Sequence, residues 1–435
     1  RRVHGDTQLI VGQRKMEMEL VEKLLVHQEK STERRRLFLS NLDLVLVSYH
    51  KSVAFFNPPG NGLTFSNICD SFLCALRLLL VPYDFLAGRL TVNDRGKYEI
   101  DCNNSGAVVV IAKTASLMSD LGDIQAPNAK FPTLVSFLHE GDELKKDIQT
   151  LPVLYFQLTQ FGCGSLALAS KYNHCAFDGM AVREFEQSLA SLTRGEDLVK
   201  VPNSDRSLFK AREPTIISFP HLEYTTEPND LPKVEAEDHL YEVTLMQVLG
   251  LKKMIMKEGI LKYCSTFQAV AAKIWKAKTV ASKVDDDTLV TMLFPVNVRD
   301  IVVPQVPQGF AGNALVPGFA QAMAKEIKEA SLATIVRMIQ EGMERMTDEY
   351  VKSSVDWLEA NKGMVRCENS FSLVSWFKLG LEDEHFSWGK CVAAVPIASS
   401  PILVFLLPRI EGGLTISLQL PQNQAQDFFK TLYQV

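Results

Sequence analysis

The sequence contains no apolar run long enough to cross a membrane. The longest run, from Pro401 to Pro408, has the length of a strand, whereas a membrane-spanning helix needs about 20 apolar residues. The first residues, Arg1 to Gly5, are polar and lack the apolar stretch of a secretory signal. We therefore expect a soluble, cytoplasmic protein with no membrane partner.

Paired cysteines are also missing. The 435 residues include eight scattered cysteines, and none forms a C-x-x-C pair. Most lie in apolar stretches, where a free thiol behaves as a small hydrophobic side chain. The pattern argues against a disulfide framework or a zinc site, so we expect a reducing compartment and no bound metal.

An excess of basic residues is absent as well. The net charge is −5, from 46 Lys and Arg against 51 Asp and Glu. The one basic cluster, residues 30–36, also contains Glu33, which is typical of a solvated surface turn. A nucleic-acid partner is therefore not expected.

Several catalytic signatures do not occur. The chain has no G-x-S-x-G, no G-x-x-x-x-G-K-[ST] and no H-E-x-x-H, and Gly162 and Gly164 do not continue into a dinucleotide fingerprint. With no nucleophilic Ser or Cys in a recognised setting, a group transfer without a covalent enzyme intermediate is the simpler mechanism.

Helices and strands are predicted in both halves of the chain. Strands are expected at Leu154–Gln160 and Ser165–Tyr172, followed by an amphipathic helix from Met180 to Leu192. A long helical region is expected from Gln321 to Asn361. Because strict βαβ alternation is missing, we predict an α/β fold of two similar-sized domains with mixed β-sheets flanked by helices.

The composition changes between the halves. From residue 201 to residue 230, prolines accumulate among polar residues with little periodicity, which is typical of an interdomain connection. We therefore predict an N-terminal domain at 1–200, a crossover loop at 201–230 and a C-terminal domain at 231–435.

The most informative run is Asn173 to Gly179, N-H-C-A-F-D-G, where a predicted strand ends and a predicted helix begins. A side chain at such a strand end can face a cleft. Histidine accepts a proton from a hydroxyl near neutral pH, so His174 is a candidate general base for acyl transfer. The alternative is structural, with His174 in the core and Asp178 as a helix cap.

A second unusual run, Glu384 to Lys390, reads E-H-F-S-W-G-K. Alone, its Trp-Gly pair indicates a structural turn. Together, the two runs resemble motifs of the plant BAHD family of acyl-CoA-dependent acyltransferases, which carry H-x-x-x-D-G near the middle and D-F-G-W-G-K/R-P near the C-terminus. His174, Asp178 and Gly179 match the first motif, and Phe386, Trp388, Gly389 and Lys390 match the second.

Further stretches resemble the same family. Leu39–Asp43 is similar to L-S-x-L-D, Ala87–Leu90 matches A-G-R-L, Ser265–Phe267 with Trp275 resembles the start of the second domain, and Gly309–Asn313 resembles G-Y-F-G-N. By these ordered matches the chain is identified as a member of the family. The second motif departs from the pattern at His385, Ser387 and Cys391, which leaves a non-catalytic relative open as an alternative.

The resemblance implies a chloramphenicol-acetyltransferase-like fold with a channel between the two domains. His174 in the N-terminal domain would be the general base, and Asp178 would point away from the channel and pair with Arg299 to hold the loop. Trp388 would belong to the structural turn of the C-terminal domain.

The resemblance also implies where the substrates bind. Lys252, Lys253, Ser265 and Thr266 are the candidates for coenzyme A, although a lysine pair on a helix is often merely solvated. Trp376 and Lys378 would line the acceptor side.

The implied partners are an acyl-CoA co-substrate and a small-molecule acceptor, with no bound cofactor and a monomeric chain. Tyr172–Cys175 and Ser204–Arg206 look closest to members that move hydroxycinnamoyl groups onto long-chain alcohols or ω-hydroxy fatty acids. Acetyl or benzoyl transfer and an amine acceptor stay open.

Overall fold

The computed structural model describes residues 16–60, 62–138, 147–227, 235–377, 379–397 and 400–434. Within these ranges the chain forms eighteen β-strands and nine α-helices. The sheets contain parallel as well as antiparallel pairs. The expected α/β fold with mixed sheets is therefore confirmed.

The elements have the following bounds. The strands are β1 (Glu19–Val26), β2 (Arg35–Phe38), β3 (Tyr49–Phe56), β4 (Arg89–Val92), β5 (Tyr98–Cys102), β6 (Ala107–Lys113), β7 (Leu154–Gln160), β8 (Leu166–Asn173), β9 (Tyr224–Thr225), β10 (Glu237–Val243), β11 (Leu289–Asn297), β12 (Leu315–Met323), β13 (Met364–Val365), β14 (Ser370–Ser375), β15 (His385–Phe386), β16 (Gly389–Pro396), β17 (Leu403–Pro408) and β18 (Leu414–Leu420). The α-helices are α1 (Asn41–Leu44), α2 (Phe65–Leu79), α3 (Gly179–Thr193), α4 (Leu245–Lys257), α5 (Thr266–Ser282), α6 (Ala324–Glu329), α7 (Leu332–Glu344), α8 (Asp348–Asn361) and α9 (Gln422–Tyr433).

The larger sheet has seven strands in the order β1-β6-β7-β8-β3-β16-β15. Its central strand β8 is buried along its whole length and pairs antiparallel with β7 and β3. Helices α2 and α3 cover one face, where the rings of Phe72 and Phe185 pack against Phe156 of β7. The carboxyl end of β8 therefore lies in the middle of the sheet.

The second large sheet has six strands in the order β10-β18-β17-β14-β11-β12, with β14 parallel to both of its neighbours. Its core is closed by helices α5, α7 and α9, which bury Trp275, Ile335 and Phe428. Two smaller sheets join β13 to β9 and β2 to β5 and β4.

The two halves of the chain share the larger sheet. β16 comes from the C-terminal part of the sequence but pairs antiparallel with β3, with Ala394 opposite Ala54. The connection after α3 also pairs with the other half, where Asn203 forms an isolated bridge to Phe310. The domain boundaries stay a prediction.

The local predictions were right around β8 and wrong in one long region. β7 has the predicted bounds, and β8 and α3 lie within a residue or two of theirs. The helix expected from Gln321 to Asn361 is wrong at its start, because β12 continues to Met323, and it is divided into α6, α7 and α8. Ser331 and Thr347 cap α7 and α8 with their side chains, which explains these divisions.

Among the helices in the described ranges, none combines the length and the apolar composition that a membrane span requires.

Candidate active site

His174 lies in the short connection between β8 and α3. Its backbone N–H donates to Ser48 O over 2.8 Å, and the backbone N–H of Ala176 donates to Asn173 O over 3.0 Å. The Asn173 side chain also accepts a hydrogen bond from the Cys175 N–H over 3.2 Å. These bonds turn the chain at the end of β8, so that His174 keeps a partly exposed ring while its neighbours are buried.

Asp178 holds the other end of this connection. It caps α3 by accepting from Ala181 N over 3.0 Å, and its second oxygen accepts from Ala314 N over 3.0 Å. Arg299 donates to both carboxylate oxygens, over 2.8 Å and 2.9 Å. The carboxylate is fully buried and accepts four hydrogen bonds. Both oxygens are therefore engaged in holding the loop, and neither is exposed to a substrate.

Gly179 begins α3 at a close contact with the other half of the chain. A Cβ atom at this position would lie 3.0 Å from Cδ2 of Leu379. Glycine therefore lets the loop after Trp376 approach the start of α3.

Asn313 links the connection to the N-terminal end of the chain. Its side-chain amide donates to His174 O over 2.9 Å and to Asp43 Oδ1 over 2.9 Å. Asp43 also accepts from the Asn313 backbone N–H over 3.2 Å. Asn313 therefore fixes the backbone of His174 in addition to the bonds made by Asp178.

A second buried ion pair lies behind the same loop. Arg206 and Asp43 have fully buried side chains, with Arg206 Nε 3.2 Å from Asp43 Oδ2. The Arg206 guanidinium also donates to the carbonyls of Ala176 and Ala311. The sequence analysis named Asp43, Arg206 and Asn313 only as parts of longer family-like stretches and did not predict that they meet. The available signal was the presence of charged or amide side chains in apolar surroundings, where such groups need a partner.

The two nitrogens of the His174 ring have different surroundings. Nδ1 is buried and has no hydrogen-bond partner among the described residues, and the same holds for Oδ1 of Asn313. Burial lowers the pKa of His174 below its ordinary value of 6.5, while its own backbone, Asp178 and Asn313 act in the opposite direction. The ring is therefore neutral at pH 7, and Nε2 is the nitrogen that remains for a substrate.

Two aromatic rings lie beside His174, and a third lies beside one of them. The ring centroids of Tyr172 and His50 lie 6.1 Å and 6.2 Å from the His174 centroid. The indole of Trp376, which follows β14 in the second half, lies 6.0 Å from His50. The structure thus brings the predicted residues His174 and Trp376 into one cluster, and it adds His50, which sequence reasoning missed because an isolated histidine in a strand carries no pattern.

Trp388 lies away from this cluster. Its ring is buried against Phe386 and Phe56, with centroid distances of 4.7 Å and 5.8 Å. His50 and Phe56 stand six residues apart on β3, which corresponds to roughly 20 Å at about 3.3 Å per residue. Trp388 therefore belongs to a packed turn and does not contact the cluster around His174.

The residues predicted to bind coenzyme A form a separate group. Ser265 caps α5 through a reciprocal bond with Gln268, and Thr266 is the first residue of that helix. Lys252 and Lys253 lie on α4, and the charge of Lys252 is close enough to oppose the burial that raises the pKa of the Cys264 thiol. Lys252 therefore lies near the residue that precedes the Ser265 cap, and the coenzyme A contacts of these four residues stay a prediction. Lys378 lies outside the described residues.

In the part of the chain that the structure describes, no three His, Cys, Asp or Glu side chains are grouped so that they would hold a metal ion.

Known proteins resemble this chain over nearly its whole length. A family model described as "Transferase family" matches residues 16–435. The acyltransferase GLAUCE of Arabidopsis thaliana is 32% identical over 425 residues, which make up 93% of this chain and 93% of that protein. The omega-hydroxypalmitate O-feruloyl transferase of Arabidopsis thaliana is 31% identical over 412 residues, or 92% of this chain and 87% of that protein.

Solved structures share the fold. Vinorine synthase superposes with a TM-score of 0.77 at 21% identity, covering 94% of this chain and 96% of its own. TRI101 of F. graminearum, complexed with ethyl coenzyme A, superposes with a TM-score of 0.72 at 17% identity, covering 91% and 96%. The similarity covers both halves of the chain.

Proposed function

Because the chain belongs to the BAHD family of acyltransferases, we propose that it transfers a hydroxycinnamoyl group from a coenzyme A thioester to the hydroxyl of an alcohol. The observation that carries this proposal is the His174 ring. It is neutral and partly exposed, its Nδ1 is buried, and its loop is held by the buried pairs Asp178–Arg299 and Asp43–Arg206.

The proposed reaction needs one base and no covalent enzyme intermediate. His174 Nε2 takes the proton of the acceptor hydroxyl while the acceptor oxygen attacks the thioester carbonyl carbon. The carbonyl oxygen becomes an oxyanion, which hydrogen-bond donors stabilise by about 3–4 kcal/mol each. The intermediate then expels the thiolate of coenzyme A, which takes the proton from His174, so the histidine ends as neutral as it began.

The acyl group is proposed to be hydroxycinnamoyl for two reasons. The first is that a relative with 31% identity is a feruloyl transferase. The second is a polar pair two residues beyond His50 and Tyr172, where Ser52 Oγ lies 2.9 Å from Ser170 Oγ on the same sheet face. Ser170 lies four residues before His174, or about 13 Å along the strand, a separation that suits the distal hydroxyl of a rigid aromatic acyl group held at His174.

A small cavity adjoins that serine pair. It has a volume of about 20 Å³ and is lined by Ser52, Ser170, Glu186 and Glu384, among apolar side chains. Such a volume has room for about one water molecule, which a phenol hydroxyl can replace. Burial, followed by the charge of Glu384, raises the pKa of Glu186 to about 8. The Glu186 carboxyl is thus mostly protonated at pH 7 and suits a neutral hydroxyl.

The co-substrate and acceptor sites are assigned by the same reasoning. We propose that Lys252, Lys253, Ser265 and Thr266 contact coenzyme A, a ligand that a fold neighbour carries in its ethyl form. Trp376 and Lys378 are proposed to line the acceptor side. All eight cysteines are free, which supports our proposal of a cytoplasmic protein, and we propose that it acts as a monomer.

The test is a screen of the purified chain for product formation by mass spectrometry. Feruloyl-, p-coumaroyl-, cinnamoyl- and acetyl-CoA would be combined with pooled long-chain alcohols, ω-hydroxy fatty acids and amines. We expect esters of the hydroxycinnamoyl donors, and a kcat/KM for cinnamoyl-CoA about 5- to 30-fold lower because the serine pair loses its partner. Amide products alone would shift the acceptor class, and no product from any pair would favour a non-catalytic relative.

A further inference from the structure

A second imidazole faces His174 inside the proposed active site. His50 lies on β3, directly opposite Tyr172 of β8, and its ring stands nearly perpendicular to that of His174, at 81° with 6.2 Å between centroids. The same ring lies 6.0 Å from Trp376. His50 is therefore a neighbour both of the proposed base and of a residue from the other half of the chain.

The ring nitrogens of His50 are available for a ligand. Among the described residues, neither nitrogen has a hydrogen-bond partner, and the side chain keeps partial exposure. A neutral imidazole carries one N–H donor. The centroids of the His50 and His174 rings lie 6.2 Å apart, so the two rings are neighbours and can contact the same bound group.

The charge state of His50 fits a donor rather than a second base. Burial, followed by the charge of His174, lowers its pKa from 6.5 to about 3. His50 therefore stays neutral at working pH, and it stays so while His174 carries the proton of the acceptor. A neutral imidazole that polarises a carbonyl performs this task in other enzymes.

We propose that His50 is a further catalytic residue, whose ring N–H donates a hydrogen bond to the carbonyl oxygen of the bound thioester and to the oxyanion formed from it. The inference rests on the proposed acyl transfer. No proton leaves His50 in this step. The electron pair of the carbonyl moves to oxygen when the acceptor attacks and returns when the thiolate leaves.

The experiment replaces the ring with and without a donor. His50→Phe keeps a planar ring but has no N–H, His50→Gln keeps a neutral N–H donor, and the exposed His385→Gln is the matched control. Feruloyl-CoA is the donor, and kcat and KM are measured for transfer to the alcohol that gives the best rate and for slow hydrolysis by water.

A lost oxyanion donor lowers kcat by roughly 100- to 1,000-fold. We expect this loss for His50→Phe in both transfer and hydrolysis, with both KM values within threefold of the parent. We expect His50→Gln to retain at least a tenth of the parent rate and His385→Gln to match the parent. Hydrolysis is the decisive readout, because a contact to the alcohol would not affect it.

Three outcomes would overturn the assignment. They are a His50→Phe kcat within threefold of the parent, a change confined to the KM of the alcohol, and a His50→Gln loss as large as that of His50→Phe. If His50→Phe does not fold, His50→Leu takes its place under the same criteria. A parent chain that transfers no acyl group would refute the proposed function itself, whereas an active parent with an unaffected variant refutes only the role of His50.

Discussion

His174 owes its position to bonds made by its neighbours rather than by its ring. Its backbone is held by Ser48 and Asn313, and the loop behind it is held by Asp178 and Arg206. Arg206 and Arg299 both lie outside the loop in sequence. Arg206 pairs with the buried Asp43, and Arg299 pairs with the buried Asp178. Breaking either pair would leave a buried charge without its partner, which strongly destabilises a protein. The two pairs therefore favour this one arrangement of the loop.

The pair Asp178–Arg299 is predicted to be structural. Asp178→Ala and Arg299→Ala should each lower the free energy of unfolding by about 2–5 kcal/mol, because each leaves a buried or half-buried partner without its counter-charge. The double variant should lose less than the sum, since the two residues share one interaction. Urea unfolding of the three variants measures these values.

The control for this cycle is the exposed pair Arg337–Glu341 on α7, with N–O at 3.1 Å. Arg337→Ala should cost about 1 kcal/mol or less. Purely additive losses at Asp178 and Arg299 would argue against the pair. A well-folded Asp178→Asn with a shifted pH optimum would instead indicate that Asp178 takes part in proton transfer.

At the scale of an element, the segment from residue 201 to residue 227 is firmly attached although it has little regular structure. Arg212 binds Asp356 of α8, with Nε 2.6 Å from Oδ2. His221 lies 2.8 Å from both Ser353 Oγ and Glu223 Oε1. The hydrogen bonds run from Ser to His to Glu, as in the catalytic triad of a hydrolase. All three side chains are buried, so a substrate cannot reach them. The network therefore serves to attach the segment to α8.

The turn between β15 and β16 is the second element whose source of stability can be tested. The family motif has Asp at the position of His385, and here His385 is exposed while Phe386 and Trp388 are buried and stacked. Lys390 lies 3.9 Å from Asp383, but both side chains are largely exposed. Packing of the two aromatic rings therefore holds the turn, because an exposed ion pair contributes about 1 kcal/mol or less.

Trp388→Ala should destabilise the protein by about 3–5 kcal/mol, the usual cost of removing a large buried ring. His385→Asp should change stability by no more than about 0.5 kcal/mol, as a surface substitution. Thermal unfolding at pH 7.5, with steady-state rates alongside, compares the two variants. If His385→Asp unfolds the protein or eliminates activity while Trp388→Ala does neither, then His385 has a function of its own.

At the scale of the whole molecule, the proposed site is assembled from both halves of the chain. The N-terminal half supplies His174 and His50, and the C-terminal half supplies Arg299, Asn313 and Trp376. β16 also links the halves by backbone hydrogen bonds, since it pairs with β3 within one sheet.

The sequence allowed the local features of this site to be predicted. The strand before His174 and the helix after Asp178 follow from apolar periodicity and from a capping aspartate. Arg299 was named as the partner of Asp178 from the family resemblance, and the structure brings the two together.

The long-range features could not be predicted in the same way. The strand pairing of β16 with β3 and the convergence of Asp43, Arg206 and Asn313 depend on contacts between residues more than 100 positions apart. His50 was invisible because its neighbours in space, His174 and Trp376, are remote in sequence. The long helix was wrong because side-chain caps at Ser331 and Thr347 interrupt a continuous helical pattern.

The most direct test of the account is the turnover of His174→Ala measured beside its affinity for the feruloyl-CoA thioester. Removing the base should lower kcat by about 100- to 10,000-fold or more, while the Kd from calorimetry should stay within about threefold, because the proposed coenzyme A contacts lie on α4 and α5. The exposed His27→Ala is the control and should match the parent in both quantities. Activity of His174→Ala within tenfold of the parent would contradict the account.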